Sequence, residues 1–238
     1  AGFELVDSQS FLRGAMPTDV TFGPDSRLYF SDWVSGWPWP KPRRGRIYAV
    51  APSHPAANDD AGVAQTRRII AEGMTSRSPE DLARELGHRD QRVRLAAQFE
   101  LADRGEASLP VFEAVAENRE APRLARLHAL WGMGQLADRV PVALNHYAIL
   151  MADKDGEVRA QTARILGDHL RIEAFHSLKA ALEDEEPRVA FFAAQSLGKL
   201  KRSDAIPALI GLLRKNDDRD AVLRHTIVIA MARLGPDS

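Results

Sequence analysis

A short pattern of residues recurs five times in the later part of the chain, at nearly constant spacing. Each copy places small or apolar residues at the same distances from a central anchor residue. The anchors are Val93, Ala125, Val158, Val189 and Leu223, and the intervals between them are 32, 33, 31 and 34 residues. Self-similarity at periods of about 20 to 50 residues is typical of solenoid proteins, in which each unit packs on the next. The spacing therefore predicts a stack of five similar units.

Each copy has the periodicity of an α-helix with one broad apolar face. Because successive helical residues are rotated by about 100°, positions zero, four, five and eight after the anchor share that face. Position eight carries large apolar residues, namely Leu101, Met133, Leu166, Leu197 and Met231. Position nine carries only Gly or Ala, namely Ala102, Gly134, Gly167, Gly198 and Ala232. This alternation predicts a filled interior between helices that approach one another closely.

The segments between these helices have helix signals of their own, so each repeat is predicted to be a pair of helices. Ser78 with Pro79 marks a helix start, as a capping residue followed by proline at the first helical position. The first helices are predicted at Pro79–Gly87, Ser108–Glu117, Val140–Met151, Ile172–Leu182 and Ala205–Leu213. The second helices are predicted at Gln91–Arg104, Arg123–Ala137, Glu157–Leu170, Pro187–Leu200 and Asp220–Leu234. Linkers of a few residues make each pair antiparallel.

An acid three residues before the anchor and an arginine one residue after it recur in three copies. The pairs are Asp90 and Arg94, Asp155 and Arg159, and Asp220 and Arg224. The acid stands where a helix N-cap is expected, and an acid four residues before a base is a favourable order on a helix. Two interpretations stay open. The charges form a structural ladder between repeats, or the arginines form a row that binds phosphate or carboxylate ligands.

Two copies break this charge pattern. Pro122 replaces the acid before Arg126, and Ala190 replaces the arginine after Glu186. We therefore expect Arg126 to reach Asp90 or Asp155, and Glu186 to be paired by Arg159. The candidate binding residues of the arginine row are Arg94, Arg126, Arg159 and Arg224.

The repeated pattern resembles the HEAT repeat family in its short bacterial form, from about Pro79 to Gly235. The resemblance implies a mainly α fold, an α-α superhelix of about five HEAT-like repeats. Proteins of this family are usually scaffolds or recognition surfaces. The implied partner is a protein or a neighbouring domain of the same parent chain.

The N-terminal part has strand signals instead. Phe3, Leu5 and Val6 could form a short strand, and stronger candidates cover 19–22, 28–33 and 46–50. The peptides Asp19-Val20-Thr21-Phe22-Gly23-Pro24-Asp25, Leu28-Tyr29-Phe30-Ser31-Asp32-Trp33 and Gly45-Arg46-Ile47-Tyr48 resemble the last blade of bacterial glucose/sorbosone dehydrogenase-like β-propellers. The resemblance implies a fragment of a multidomain propeller–HEAT–cytochrome c type protein, periplasmic or secreted. Most of a propeller and the haem motif are missing, so no catalytic residue is carried over.

These patterns divide the chain into three segments. Residues 1–52 are predicted as a small antiparallel β segment like a propeller blade, 53–77 as a linker, and 78–238 as the helical repeat domain. One loop of the first segment combines aromatic and basic residues that suit stacking on a sugar, a base or a quinone. The candidates are Trp33, Trp37, Trp39, Arg43, Arg44 and Arg46. The alternative is a stiff hairpin loop whose Trp rings pack on the neighbouring domain.

Composition limits the chemistry that the chain can carry. It has no cysteine, which excludes disulfides, thiolate metal sites and covalent c-type haem attachment. Its formal net charge of −1 gives no general bias toward nucleic acid, and no apolar run is long enough to span a membrane. The seven histidines lack a metal-ligand spacing, so we predict no metal and no cofactor. The oligomeric state is left open.

Three functions follow from these patterns. The first is a non-catalytic scaffold or protein-interaction module. The second is a part of a quinoprotein-type sugar dehydrogenase whose active site lies outside this chain. The third is a DNA-binding HEAT-like protein, which would need a basic recognition face. A phycobilin lyase-like HEAT protein is a weaker fourth.

Overall fold

The computed structural model describes residues 5–23, 25, 27–33, 45–51, 61–145 and 147–235. The described residues form two compact units, which divide between Met74 and Thr75. The first unit contains the strands and one helix, and the second contains the repeated helices. The three-segment division predicted from the sequence stays a prediction.

The first unit contains a small antiparallel sheet with strands in the order β1, β2, β3. The strands are β1 (Pro17–Phe22), β2 (Leu28–Asp32) and β3 (Arg46–Val50). Val20 pairs with Phe30, and Phe30 pairs with Tyr48, whose ring stacks on it with centroids 5.0 Å apart. The predicted small antiparallel sheet is confirmed, although Leu5 and Val6 are exposed and lie outside any strand.

A helix, α1 (Ala61–Glu72), occupies much of the segment that was predicted as a linker. The helix has no acidic residue in its first turn and no basic residue in its last turn, so its ends carry little of the usual signal. Thr66 donates a hydrogen bond to the Gly62 carbonyl one turn back and is buried.

The second unit is a succession of helical pairs. The first helices are α2 (Pro79–Glu85), α4 (Leu109–Glu117), α6 (Tyr147–Leu150), α8 (Phe175–Ala180) and α10 (Ile206–Asn216). The second helices are α3 (Gln91–Asp103), α5 (Arg123–Ala137), α7 (Gly156–Asp168), α9 (Pro187–Leu200) and α11 (Ala221–Arg233). Within each pair the two helices pack together, and each second helix also packs on the next one. The predicted stack of pairs is confirmed.

Two first helices are shorter than predicted. The segment predicted as one helix from Val140 to Met151 begins with a 3-10 turn, Pro141–Leu144, followed by the four-residue α6. The segment predicted at Ile172–Leu182 has 3-10 turns on both sides of α8. Short 3-10 pieces are frequent at helix ends.

The repeated acids cap the second helices as predicted. Asp90 accepts a hydrogen bond from the Arg92 N–H at 2.9 Å, Asp155 from Glu157 at 2.9 Å, and Asp220 from Val222 at 2.9 Å. Capping satisfies backbone donors that a helix start leaves without partners.

The apolar positions of the repeat form one continuous interior. Leu101, Met133, Leu166 and Leu197 at position eight are buried, whereas Met231 is half-buried. Gly167 lies against Ser196, and Gly198 lies against Ala230. Small residues at position nine therefore let each second helix approach the next. None of the helices in the described part of the chain is long and apolar enough to cross a membrane.

Candidate functional site

Three of the four repeat arginines, namely Arg94, Arg126 and Arg159, make their hydrogen bonds inside the stack. Both Arg126 and Asp153 are buried, and the guanidinium donates to both carboxylate oxygens at 3.2 and 2.6 Å. Arg126 also donates to the Ala116 carbonyl at 2.9 Å. Burial raises the pKa of Asp153, but the hydrogen bonds and charge of Arg126 outweigh it, and the net pKa is below its usual range. The prediction that Arg126 reaches Asp90 or Asp155 was therefore wrong.

Arg159 makes the equivalent contact in the next repeat. Its guanidinium donates to Asp184 at 2.8 and 2.7 Å, and to the Asp153 carbonyl at 2.8 Å. The prediction that Arg159 pairs with Glu186 was therefore wrong. Asp184 accepts from Arg159 instead, because it lies in the turn before α9. Asp153, which accepts from Arg126, lies in the equivalent turn before α7, one repeat earlier.

The expected pairs four residues apart are also replaced. Asp90 pairs with Arg92 at 2.6 Å, and Asp155 pairs with Arg123 of the preceding repeat at 2.6 Å. Arg224 pairs with Asp218 in its own turn at 2.8 Å. Of these three ion pairs, only Arg123–Asp155 joins two repeats.

Arg94 begins a chain of hydrogen bonds that ends on the surface. It is buried and donates from Nε to His128 Nε2 at 3.1 Å. That contact makes Nδ1 of His128 the protonated nitrogen, which donates to Gln98 Oε1 at 2.7 Å. Gln98 in turn donates to Gln135 Oε1 at 3.0 Å. Burial, and then the charge of Arg94, lower the pKa of His128 from 6.5 to about 4.

The exposed end of this chain opens into a groove across α3, α5 and α7. The groove has a volume of about 470 Å³. Its apolar lining comes from Leu95, Phe99, Trp131 and Ile165, and its amides come from Gln98, Gln135 and Gln161. Phe99 is 47% exposed, although it is a large apolar residue. We call this surface the α3–α5–α7 groove.

Hydrogen bonds also fix the other side of the groove. Trp131 donates from its indole N–H to Gln161 Oε1 at 3.1 Å, and Gln161 donates to Glu157 at 2.8 Å. His128 contacts the Trp131 ring edge-on, with centroids 5.0 Å apart. The aromatic ring and the amides are therefore held in one orientation before any ligand arrives.

Charged residues at the edge of the groove have mixed signs. Asp138, Arg164, Asp168 and His169 belong to its lining. Arg164 lies 3.5 Å from Asp168, and Lys199 of α9 also pairs with Asp168. Because the acids balance the bases, the groove does not present the basic face that DNA binding would need.

The structure brings together a different set of residues from the one predicted. Arg94 and Arg126 are buried, and the side chain of Arg159 is only 12% exposed. Arg224 is the most open of the four arginines, at 46%. The arginine-row interpretation requires guanidinium groups that a ligand can reach, and three of the four are engaged inside the stack.

The residues of the tryptophan-rich loop are mostly outside the described part of the chain. This applies to Trp37, Trp39, Arg43 and Arg44. Trp33 is 41% exposed, and its backbone N–H donates to the Met16 carbonyl. Arg46 lies on β3 and donates to the Tyr48 hydroxyl at 3.1 Å. The role of this loop stays a prediction.

The groove was not predicted from the sequence, although a sequence signal for it is present. Phe99, Trp131 and Arg164 all stand six residues after their anchors, and Gln195 and Ile229 follow in the last two repeats. The residue type at position six differs from repeat to repeat, whereas position eight is always Leu or Met and position nine is always Gly or Ala. Stacked repeats create extended binding surfaces, and a position that differs between repeats gives such a surface a different chemistry along the stack.

Comparisons with known proteins agree with the repeat fold. Residues 147–236 match the family model described as HEAT repeats. A search of curated proteins gives no match. Within the described residues, no group of three or more His, Asp and Glu side chains lies together as a metal site would require.

Several solved structures are similar to this chain at low sequence identity. The complex of CpcE and CpcF of phycocyanin lyase from Nostoc sp. PCC7120 matches with a TM-score of 0.51 at 20% identity, over 69% of this chain and 67% of that chain. An engineered protein matches with a TM-score of 0.45 at 16% identity, over 76% and 84%. A designed armadillo repeat protein in complex with the peptide (KR)4 matches with a TM-score of 0.43 at 16% identity, over 65% and 80%.

The helical pairs, the stacked second helices and the family match at residues 147–236 describe the same architecture. The larger unit of this chain is an α-α superhelix of HEAT-like repeats, the fold of scaffolds and interaction modules.

Proposed function

We propose that this chain is a protein-interaction module whose α3–α5–α7 groove binds an extended segment of a partner protein. The observation that carries the proposal is the pairing of an exposed aromatic surface with amides that are already oriented. Phe99 and Trp131 supply the apolar surface, and Gln98, Gln135 and Gln161 supply the polar groups.

The amides suit the backbone of an extended peptide. The Oε1 atom of Gln135 accepts from Gln98, so its NH₂ group is the part with donors left for a ligand. The carboxylates of Asp138 and Asp168 are acceptors in the same groove. An extended segment has both N–H and C=O groups to satisfy, and this lining offers partners for each.

The aromatic residues provide the apolar part of the interaction. Large rigid rings bury much surface at little cost in conformational entropy, and Trp is enriched among residues that dominate binding energy. Trp131 is fixed by His128 and Gln161, so little of its freedom remains to be lost on binding. Partner side chains that are apolar or aromatic would pack against Trp131 and Phe99.

The proposal is tested by selecting short peptides from a random displayed library on the purified chain. Affinities of the selected peptides are then measured by fluorescence polarisation. We expect Trp131→Ala to weaken binding by about tenfold or more, because it removes the central ring of the groove. Trp131→Phe keeps an aromatic surface and should retain more of the affinity.

The matched control is Leu124→Ala on the same helix. Leu124 is 47% exposed, like Phe99, but it does not line the groove. Its truncation should leave the affinity unchanged. Peptides that bind wild type and Trp131→Ala equally, or a selection that enriches nothing on the wild-type chain, would overturn the proposal.

A more specific hypothesis is that this chain is a fragment of a larger protein that contains a β-propeller and has dehydrogenase activity. It rests on the resemblance of the N-terminal strands, and the three-stranded antiparallel sheet is what one incomplete blade would contribute. None of the comparisons points to a propeller or a dehydrogenase. The corresponding periplasmic or secreted location depends on the same resemblance.

A further inference from the structure

The guanidinium of Arg94 is the fixed end of the hydrogen bonds that lead to the α3–α5–α7 groove. An arginine side chain can donate hydrogen bonds but cannot accept them. Arg94 is buried, and it also donates to the carbonyls of His88 and Arg89 at 2.7 and 3.0 Å. These two contacts hold the guanidinium in place. The nitrogen of His128 that faces it must therefore be an acceptor.

The direction of every later contact follows from this one. Because Nε2 of His128 accepts, the neutral imidazole carries its proton on Nδ1 and donates it to the oxygen of Gln98. The NH₂ group of Gln98 then donates to the oxygen of Gln135. Turning either amide over would set two donors against each other and lose a hydrogen bond. We call these four residues, Arg94, His128, Gln98 and Gln135, the Arg94 relay.

The three amides of the groove differ in what they can offer a ligand. Gln98 and Gln161 are buried. The oxygen of Gln161 accepts from Trp131, and its NH₂ group donates to Glu157. Gln135 is exposed, and its oxygen is occupied by Gln98. The amide group that faces a ligand is therefore the NH₂ group of Gln135, which is a donor.

We propose that the Arg94 relay directs the groove to bind a hydrogen-bond acceptor opposite Gln135. The inference rests on the proposed function, and it adds the chemistry of one ligand group, a backbone carbonyl of the partner segment. A ligand that placed an N–H at the same point would meet the NH₂ group donor to donor. Arg94 and His128 are positioning residues in this arrangement, because they do not line the groove themselves.

The first test changes the groove end of the relay. Gln135→Glu keeps an oxygen that accepts from Gln98, but it replaces the NH₂ group by a second acceptor. Peptides selected on the wild-type chain should bind this variant about tenfold or more weakly in fluorescence polarisation, because an acceptor then opposes the carbonyl. Gln91→Glu is the matched control. It adds the same charge at an exposed position of α3 outside the groove, and it should leave the affinity unchanged.

A matched pair of variants at His128 tests the buried part of the relay. His128→Gln can accept from Arg94 with its oxygen and donate to Gln98 with its NH₂ group, so it preserves the direction. His128→Glu offers acceptors on both sides, so Gln98 must turn its NH₂ group inward and Gln135 must turn its oxygen toward the groove. Both variants lose the ring contact with Trp131. We nevertheless expect the peptide affinity to be about tenfold lower in His128→Glu than in His128→Gln.

Nuclear magnetic resonance of the free chain gives a measurement that needs no ligand. Long-range proton–nitrogen correlation spectra near neutral pH distinguish the two neutral tautomers, and we expect the proton of His128 on Nδ1. A proton on Nε2, or equal peptide affinities in His128→Gln and His128→Glu when circular dichroism shows both to be folded, would overturn the proposal. A selection that yields no peptide would contradict the proposed function and the ligand inferred from it. Peptides that depend on Trp131 but bind Gln135→Glu as tightly as wild type would contradict only the acceptor preference.

Discussion

The His128 side chain shows how one residue connects the interior of the stack to its groove. It is buried, accepts from Arg94 and donates to Gln98. Protonation would place a second donor opposite Arg94 and a second positive charge beside its guanidinium. Both effects agree with a pKa that is lowered to about 4, with burial as the larger cause.

This pKa predicts how stability depends on pH. The unfolded state takes up a proton on His128 as the pH falls below about 6.5, whereas the folded state does so only near pH 4. The free energy of unfolding should therefore fall by about 1.4 kcal/mol per pH unit within this window, through this one group. Urea unfolding at several pH values between 7.5 and 4.5 measures the slope.

His128→Gln should remove most of that slope, because glutamine does not titrate. His176 provides the control, since it is an exposed histidine on α8 and its change to Gln should leave the slope as it is. A slope that persists in His128→Gln would mean that another group is responsible.

At the scale of the helices, two glycines illustrate how closely neighbouring elements approach. Gly167 of α7 lies against α9, and an added Cβ would overlap Ser196, only 2.6 Å from its Cα atom. Gly211 lies in α10 with nothing within 4 Å of the same added atom. The same substitution should therefore have opposite effects at the two sites.

We expect Gly167→Ala to destabilise the protein by about 1–3 kcal/mol, because the stacked helices must separate. Gly211→Ala should stabilise it by about 0.5–1 kcal/mol, because alanine restricts the unfolded chain and favours the helix. Denaturant unfolding of both variants gives the two values. Equal effects of the same sign would show that α7 and α9 are not packed as described.

At the scale of the whole molecule, the important feature is that the contacts between second helices follow the order of the repeats. Each second helix packs on the second helices before and after it, from α3 to α11. In such a stack, stability is close to a sum of unit and nearest-neighbour contributions. Distant substitutions should then act independently, whereas substitutions in touching repeats should not.

Leu101 in α3 and Ile227 in α11 are fully buried near opposite ends of the stack. We expect Leu101→Ala to cost about 2–5 kcal/mol and Ile227→Val about 0.5–1.5 kcal/mol. Their effects should add within about 0.5 kcal/mol in the double variant. Gly167→Ala combined with Ser196→Ala should depart from additivity, because those residues touch. Strong coupling between the distant pair would contradict the nearest-neighbour description.

Much of the fold could be predicted because its signals are local. The second helices begin and end within a few residues of their predicted bounds, since the capping acids and the apolar spacing act over one or two turns. The helix α1 was missed because its first turn has no acidic residue and its last turn has no basic residue. The broken first helix of the third repeat was missed because the 3-10 turn at Pro141–Leu144 differs little in sequence from a helix start.

The sequence by itself determined the number of repeats, the helix pairs and the residues that face the interior, because helical rotation is set by the backbone over a few residues. It did not determine that Arg126 would choose Asp153, that Arg159 would choose Asp184, or that Gln98 would meet Gln135. Those contacts join residues 25 to 37 positions apart. Which side chains meet at that separation depends on the shift and rotation between stacked helices, and only the tertiary structure decides those.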